Sequence, residues 1–142
     1  MHLSVIIITL NEEKNLPRTL QSLRKLKESM LEIEVLVLDS GSTDQTELIA
    51  KESGAKFVIQ NWLGYSKQKN HALTMTSGDW LLFLDADEEL SGELAREIEL
   101  VVHSSDPLTA YALKRKTFYL GRLLNYASVS YTHLTLPTTP YV

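Results

Sequence analysis

The chain has 142 residues, 44% of them hydrophobic and 23% charged, with a formal net charge of −4 and no cysteine. This is the size and composition of one globular domain able to bury a core. The acidic balance speaks against nucleic acid, which needs a basic face, and without cysteine there is neither a disulfide framework nor a thiolate metal site, as in a reducing cytoplasm.

The first thirteen residues, MHLSVIIITLNEE, hold an apolar run too short to cross a membrane, with acids where a signal peptide would be cleaved. Within it, residues 3–9 are a β-branched run of the kind buried on both faces of a parallel sheet. Next, NEEKNLPRTLQSLRKL sets Leu16, Leu20 and Leu23 at helical spacing, with Thr9 and Glu12 as a capping box and Pro17 in an early turn. EVLVLD (34–39) is a second buried strand, STDQTELIAKES a helix stopped by Gly54, and AKFVIQ (55–60) a third strand. KQKNHALTMT reads as a helix ending near Gly78, and WLLFLD (80–85) as a fourth buried strand. SGELAREIELVVHS is a helix with Ser91 as N-cap, and AYALKRKTFYL a final, more polar strand. Strands alternating with helices predict an α/β domain with a mostly parallel sheet.

The polar residues gather where these strands end. The first runs out in Thr9, Leu10, Asn11 and Glu12, the second in Asp39, Ser40, Gly41 and Ser42, and the fourth in Asp85, Ala86 and Asp87. In open parallel sheets ligands bind outside the carboxyl ends of the strands, so the predicted cleft is acidic. In FLDADEE (83–89) four of the last five residues are acidic. Two carboxylates about 4 Å apart repel by roughly 4 kcal/mol at an effective dielectric near 20, so the pattern calls for a positive occupant. On a continued strand Asp85 and Asp87 would leave the same face, with Cα atoms roughly 7 Å apart. Neither a GxxxxGK[ST] loop nor a GxGxxG fingerprint is present, so a diphosphate could enter only with a cation between. Hard oxygen ligands select Mg2+ or Mn2+, and Asp39 could accept from a base N–H or a ribose hydroxyl.

SVIIITLNEEKNL, EVLVLDSGSTDQT, GYSKQKNHAL and SGDWLLFLDADEEL, in that order and spacing, resemble glycosyltransferase family 2 and its GT-A fold. NWLGYSKQ and KRKTFYLGRLL are similar to the bacterial lipopolysaccharide-core glucosyltransferases within it. The resemblance covers residues 3 to about 125. It implies that Thr9, Asn11 and Glu12 meet the nucleotide, that Asp39 contacts uracil, and that Asp44 is the second acid of its motif. It further implies that Lys69 approaches the nucleotide-sugar, that Asp85 faces ribose or sugar, and that Asp87 binds Mn2+ or Mg2+. The implied reaction transfers a sugar from a UDP-sugar donor to a glycan or lipid-linked saccharide acceptor with inversion, in the cytoplasm at the inner face of the cytoplasmic membrane. The general base is expected in an acceptor half, so no catalytic residue is assigned.

Plainer roles also suit several of these residues. Thr9 and Ser42 fit helix caps, Glu12 a capping-box acid, and Asp44 a first-turn acid favoured by the helix dipole. Trp62 and Tyr65 suit loop packing as well as base stacking, and Glu88 and Glu89 suit solvent-exposed or helix-leading charges. LLFLDAD also resembles the nucleophile strand of haloacid-dehalogenase phosphatases, although Glu89 stands where that motif has Thr or Val. A non-catalytic nucleotide-sugar-binding module is the other alternative.

The ending departs from the family. VSYTHLTLPTT (129–139) reads as the translation of a sequencing adapter. Residues 1–126 are therefore expected to be an incomplete GT-A nucleotide-sugar-binding domain, and 127–142 a non-native tail, poorly ordered or on the surface, with Pro137 and Pro140 unable to donate to a sheet ladder.

Overall fold

The computed structural model describes residues 1–28, 30–104, 110–123 and 131–135. Its strands are β1 (His2–Thr9), β2 (Glu32–Asp39), β3 (Lys56–Ile59), β4 (Trp80–Asp85), β5 (Tyr111–Lys114), β6 (Phe118–Tyr119), β7 (Arg122–Leu123) and β8 (Tyr131–Thr135). The helices are α1 (Leu16–Ser22), α2 (Arg24–Lys27), α3 (Thr46–Glu52), α4 (Tyr65–Leu73) and α5 (Gly92–His103). Six strands form one sheet in the order β3-β2-β1-β4-β8-β5, and β6 and β7 pair separately. β1 to β4 are mutually parallel and β8 runs antiparallel to both β4 and β5. The expected α/β architecture is present.

The strand order decides which face each helix covers. Crossovers in parallel sheets are right-handed. Those from β1 to β2 and from β2 to β3 move the same way along the sheet, so α1, α2 and α3 lie on one face. The crossover from β3 to β4 reverses direction and puts α4 on the other. Alternation along β1 follows suit. Leu3, Val5 and Ile7 pack with Leu16, Leu23, Leu26, Ala50 and, from α5, Ile98, whereas Ile6 packs with Leu36, Leu38, Leu81, Phe83 and Ala72 of α4. Each fully buried aliphatic side chain of this kind contributes about 1.5–3 kcal/mol. The reversal leaves a crevice between the carboxyl ends of β1 and β4, the place where open α/β sheets bind ligands. Register levels the ends there, with Thr9 beside Asp39 and Ile8 beside Asp85.

Pro17 lies in the first turn of α1, Ser91 caps α5 by accepting from Leu94 N–H at 3.1 Å, and Gly54 follows α3 with φ +81°. Other boundaries differ from expectation for local reasons. The predicted first helix is two, because Ser22 Oγ donates to the Thr19 carbonyl at 2.7 Å while accepting from Leu90 N–H at 3.0 Å, a back-bond that bends a helix. α4 stops at Leu73, where the Thr74 hydroxyl and N–H both donate to the His71 carbonyl. The Thr9–Glu12 capping box does not form: α1 begins only at Leu16, and its N-cap, Asn15, makes no side-chain cap bond.

The tail is the larger correction. Residues 131–135, expected outside the fold, form β8 and fill the place between β4 and β5, pairing Leu81 with Thr135 and Tyr111 with Leu134. The edge of β4 presents unpaired N–H and C=O groups, and a short extended segment satisfies them through its backbone whatever its side chains. Residues 127–130 and 136–142 lie outside the described residues. Deleting residues 129–142 is therefore expected to lower the melting temperature by about 5 °C or more, read by circular dichroism; an unchanged midpoint would put β8 outside the cooperative unit.

Candidate functional site

Asp39 ends β2 with 1% of its surface exposed. Its carboxylate accepts four hydrogen bonds: the Thr9 hydroxyl and the Ser42 hydroxyl at 2.6 Å each, Gly41 N–H at 2.8 Å and Ser42 N–H at 2.7 Å. Four is about the capacity of two carboxylate oxygens. Burial by itself pushes the Asp39 carboxyl up, and the donors from Ser42, Thr9 and Gly41 outweigh it and hold the pKa below the usual carboxylate range. The turn they close needs Gly41 at φ +104°, where a side chain is disfavoured.

Asn11, Glu12 and Asp44 prove to be part of the lacing between the loops that follow β1 and β2. Asn11 adopts φ +53°, a left-handed conformation that asparagine tolerates. Its N–H donates to Ser42 Oγ at 2.7 Å, and its side-chain oxygen accepts from Thr43 N–H at 2.8 Å. Glu12 N–H donates to the Thr46 hydroxyl at 2.9 Å, while its carboxylate accepts from the Asn15 amide at 3.1 Å. Asp44 accepts from Glu13 N–H at 3.2 Å and from the Thr46 N–H and hydroxyl at 2.9 and 2.5 Å. Its pKa is lowered: desolvation works upward, and the bonds from Thr46 and Glu13 prevail. Asp44 lies ahead of α3, whose N-cap is Gln45 and whose first-turn acid is Glu47, so it is not the first-turn acid of the plainer reading but an acceptor for loop donors. Loop N–H groups without a ladder need acceptors, and these side chains supply them.

The β4 end is different in kind. β4 stops at Asp85, and a turn closes from Glu88 N–H to the Asp85 carbonyl at 3.0 Å, so Asp87 lies beyond the strand and the alternation expected for the pair does not apply. Ala86 is buried and its carbonyl accepts the Thr19 hydroxyl at 2.7 Å, which pins the turn to α1. Asp85 and Asp87 are both exposed. Asp87 accepts no hydrogen bond or ion pair among the described residues. Asp85 accepts from Arg115 at 2.8 Å, and the same guanidinium pairs with Glu88, whose other oxygen accepts from Asp85 N–H at 2.8 Å. Lys69, on α4, stands 5.4 Å from the centroid of the Phe83 ring, on the face opposite α1.

Among the described residues no three His, Asp or Glu side chains converge as a closed metal site. The donor chemistry nevertheless fits a magnesium-type cation. Such ions take one or two carboxylates and complete their shell with phosphate oxygens and water, and Asp85 and Asp87 are hard oxygen donors open to solvent.

Three contributors were not legible as such in the sequence: Ser42, read as a helix cap or a ligand contact; Arg115, thirty residues from its partner Asp85; and Gln68. Gln68 is fully buried in α4, accepts from Leu63 N–H at 3.2 Å and donates to the Gln60 carbonyl at 3.3 Å, holding the loop beyond β3. The KRK run at 114–116 was the one available signal for Arg115. Glu88, expected to be solvent-exposed or helix-leading, is instead mostly buried, at 16% side-chain exposure, in its pair with Arg115.

Thr9→Val, nearly isosteric, removes one of the four donors to Asp39 and is expected to cost about 1.5–3 kcal/mol at neutral pH. The Asp39 pKa is depressed in the fold, so the stability it contributes is present above its unfolded value, near pH 4, and is lost as pH falls through the lower folded value. The gap between wild type and Thr9→Val in urea unfolding should therefore be largest above about pH 5 and narrow in acid; a gap independent of pH would detach Thr9 from the charge on Asp39.

Comparison with known proteins places the chain. The sequence profile of Glycosyl transferase family 2 matches residues 4–107. An uncharacterized glycosyltransferase of Rickettsia typhi is 44% identical over 121 residues, 84% of this chain and 40% of that protein. The lipopolysaccharide core biosynthesis glycosyltransferase LpsC of Rhizobium meliloti is 32% identical over 124 residues, 84% of this chain and 44% of that one. Among solved structures, S. aureus TarS in complex with UDP superposes with a TM-score of 0.59 at 31% identity, over 72% of this chain and 32% of that one. Glucosyl-3-phosphoglycerate synthase from Mycobacterium tuberculosis, in complex with Mn2+, UDP and glucosyl-3-phosphoglycerate, gives 0.53 at 33%, over 61% and 35%. The chain spans about two fifths of the length of each of these two curated relatives. With the β-α alternation and acidic edge expected from its motifs, the chain belongs to glycosyl transferase family 2 and has the GT-A fold.

Proposed function

We propose that this chain is the donor-binding half of an inverting glycosyltransferase, which holds a UDP-sugar through a divalent cation and passes the sugar to a glycan or lipopolysaccharide-core acceptor. One observation carries the reading: three strand ends meet at a single acidic edge, with Asp87 open and unengaged among the described residues, and no phosphate-cradling loop accompanies them. A diphosphate can lie against such an edge only through a cation. The Mn2+ and UDP bound by the M. tuberculosis synthase support that choice of donor and metal, and the name of LpsC supports the acceptor class. Among the described residues no helix is long and apolar enough to cross a membrane.

In this proposal Asp87, with Asp85 beside it, holds Mn2+ or Mg2+. When bound, the cation neutralises charge on the departing diphosphate as a Lewis acid. Asp85 faces the ribose or sugar, and Lys69 approaches the nucleotide-sugar from α4. Thr9, Asn11, Glu12 and Asp44 shape the nucleotide wall, chiefly through the loops they lace. Asp39 reaches the uracil by giving up one of its present donors, and the Ser42 hydroxyl, the more exposed of the two, is the one exchanged. The acceptor hydroxyl is deprotonated by a base outside this span, so the chain alone binds donor and transfers little or no sugar. The adapter-like sequence of 129–139 supports a non-native origin for 127–142, since β8 pairs through its backbone.

Calorimetric titration tests the core of the reading. Withdrawing Mn2+ should weaken UDP binding far more than uridine binding, because only the diphosphate needs the bridging cation; equal UDP affinities with and without metal would overturn it.

The two carboxylates should separate by variant. Asp87→Asn is expected to lower metal and UDP affinity by about tenfold or more while sparing uridine, since an amide is a poorer ligand for a hard cation. Asp39→Asn should weaken uridine itself, whereas Ser42→Ala, which frees one acceptor position on Asp39, should retain uridine binding. Uridine affinity intact in Asp39→Asn would remove Asp39 from the base site.

A further inference from the structure

The geometry points to Arg115 as a second, protein-supplied cation for the diphosphate, parked on Asp85 and Glu88 while the site is empty and transferred to phosphate oxygens when metal and nucleotide bind. The inference rests on the donor reading proposed above and adds to it a residue and an exchange.

Arg115 owes its place to the sheet. β8 is antiparallel to both neighbours, so β5 runs parallel to β4 and finishes at the same edge. Tyr111 is level with Leu82 through Leu134, which puts Arg115, just past the end of β5, level with the position after Asp85. From there the guanidinium donates to Asp85 at 2.8 Å and pairs with Glu88, with 30% of its side chain still exposed. Asp85 is therefore claimed twice, once by this arginine and once by the cation–nucleotide complex. Both claimants cannot hold it in the same way.

Charge decides where the displaced arginine goes. A nucleoside diphosphate carries more negative charge than one divalent cation neutralises, and the edge it must enter already bears Asp85, Asp87, Glu88 and Glu89. A further positive group is needed for net attraction. Arg18 is engaged with Glu89 at 3.5 Å on the outer side of the turn, and Lys69 lies over the Phe83 ring. Arg115 is the cation already on Asp85. A guanidinium matches carboxylate and phosphate equally well, as a planar fork making paired charge-assisted bonds, so turning from Asp85 to an adjacent phosphate exchanges one good partner for another.

The two halves of the exchange predict opposite signs for one variant. In calorimetry on the full chain, Arg115→Gln should bind Mn2+ alone about three- to fivefold tighter, because the competing ion pair is gone. It should bind UDP in saturating Mn2+ about tenfold more weakly, because a charged hydrogen-bond donor is lost. Arg115→Lys should fall between wild type and Arg115→Gln for UDP. As a second variant that retains the arginine, Glu88→Gln weakens its parking place and should tighten UDP in saturating Mn2+ about twofold or more. A purely structural ion pair gives a different pattern: Mn2+ binding to Arg115→Gln unchanged or weakened, or UDP affinity unchanged in both variants, and either result overturns the inference while leaving Mn2+-dependent UDP binding by wild type in place. Absence of Mn2+-dependent UDP binding in the wild-type chain overturns the donor reading and this inference together.

Discussion

A carboxylate taken out of water must be surrounded by donors, and the edge of this domain is arranged around that demand at Asp39. An isolated buried charge costs several kcal/mol or more, so the turn after β2 folds back to place two of its own N–H groups on the carboxylate while Thr9 and Ser42 supply hydroxyls. Ser42 then accepts from Asn11 N–H, which ties the loop after β1 to the same point. Satisfying one charge in this way sets the relative position of two strand ends and two loops. The surrounding polar residues are accounted for by that arrangement before any ligand is considered.

The β4 end follows the opposite rule. Asp85 and Asp87 stay in water, where their charge is cheap to keep, and the turn that carries them is held from beneath by the buried Ala86 and its bond to Thr19. A rigid base with open carboxylates suits a hard cation that brings part of its own shell. Arg115 lowers the repulsion among Asp85 and Glu88 meanwhile. The domain thus surrounds one acid with donors from its own loops and leaves another pair in water, on two strands of one sheet that flank β1.

Several parts of this were legible in the residues. The continuous apolar runs at 3–9 and 80–85 announced buried parallel strands, because a strand covered on both faces has no polar side to alternate with. The helices carried their own punctuation in Pro17, Gly54 and Ser91. The clustering of acids after each run, combined with the rule that ligands gather at carboxyl ends, located the edge. The family motifs named the same residues independently.

Local sequence determined that this chain is an α/β domain of glycosyl transferase family 2, with acids at the ends of three strands, because periodicity and motif order are properties of neighbouring residues. It did not determine which of those acids would be consumed by the fold. Asp39, Asp44 and Asp85 look alike along the chain; the first two take amides of their own turns but met Thr9 and Glu13 only once β1 and β2 were in register, and the third met Arg115 only because β5 comes to lie parallel to β4 through β8. Nor could the sequence show that residues 131–135 would close the gap between them, since a backbone ladder is open to almost any extended segment that reaches it. Partners thirty or more residues apart are chosen by strand order and register, and those exist only in the assembled sheet.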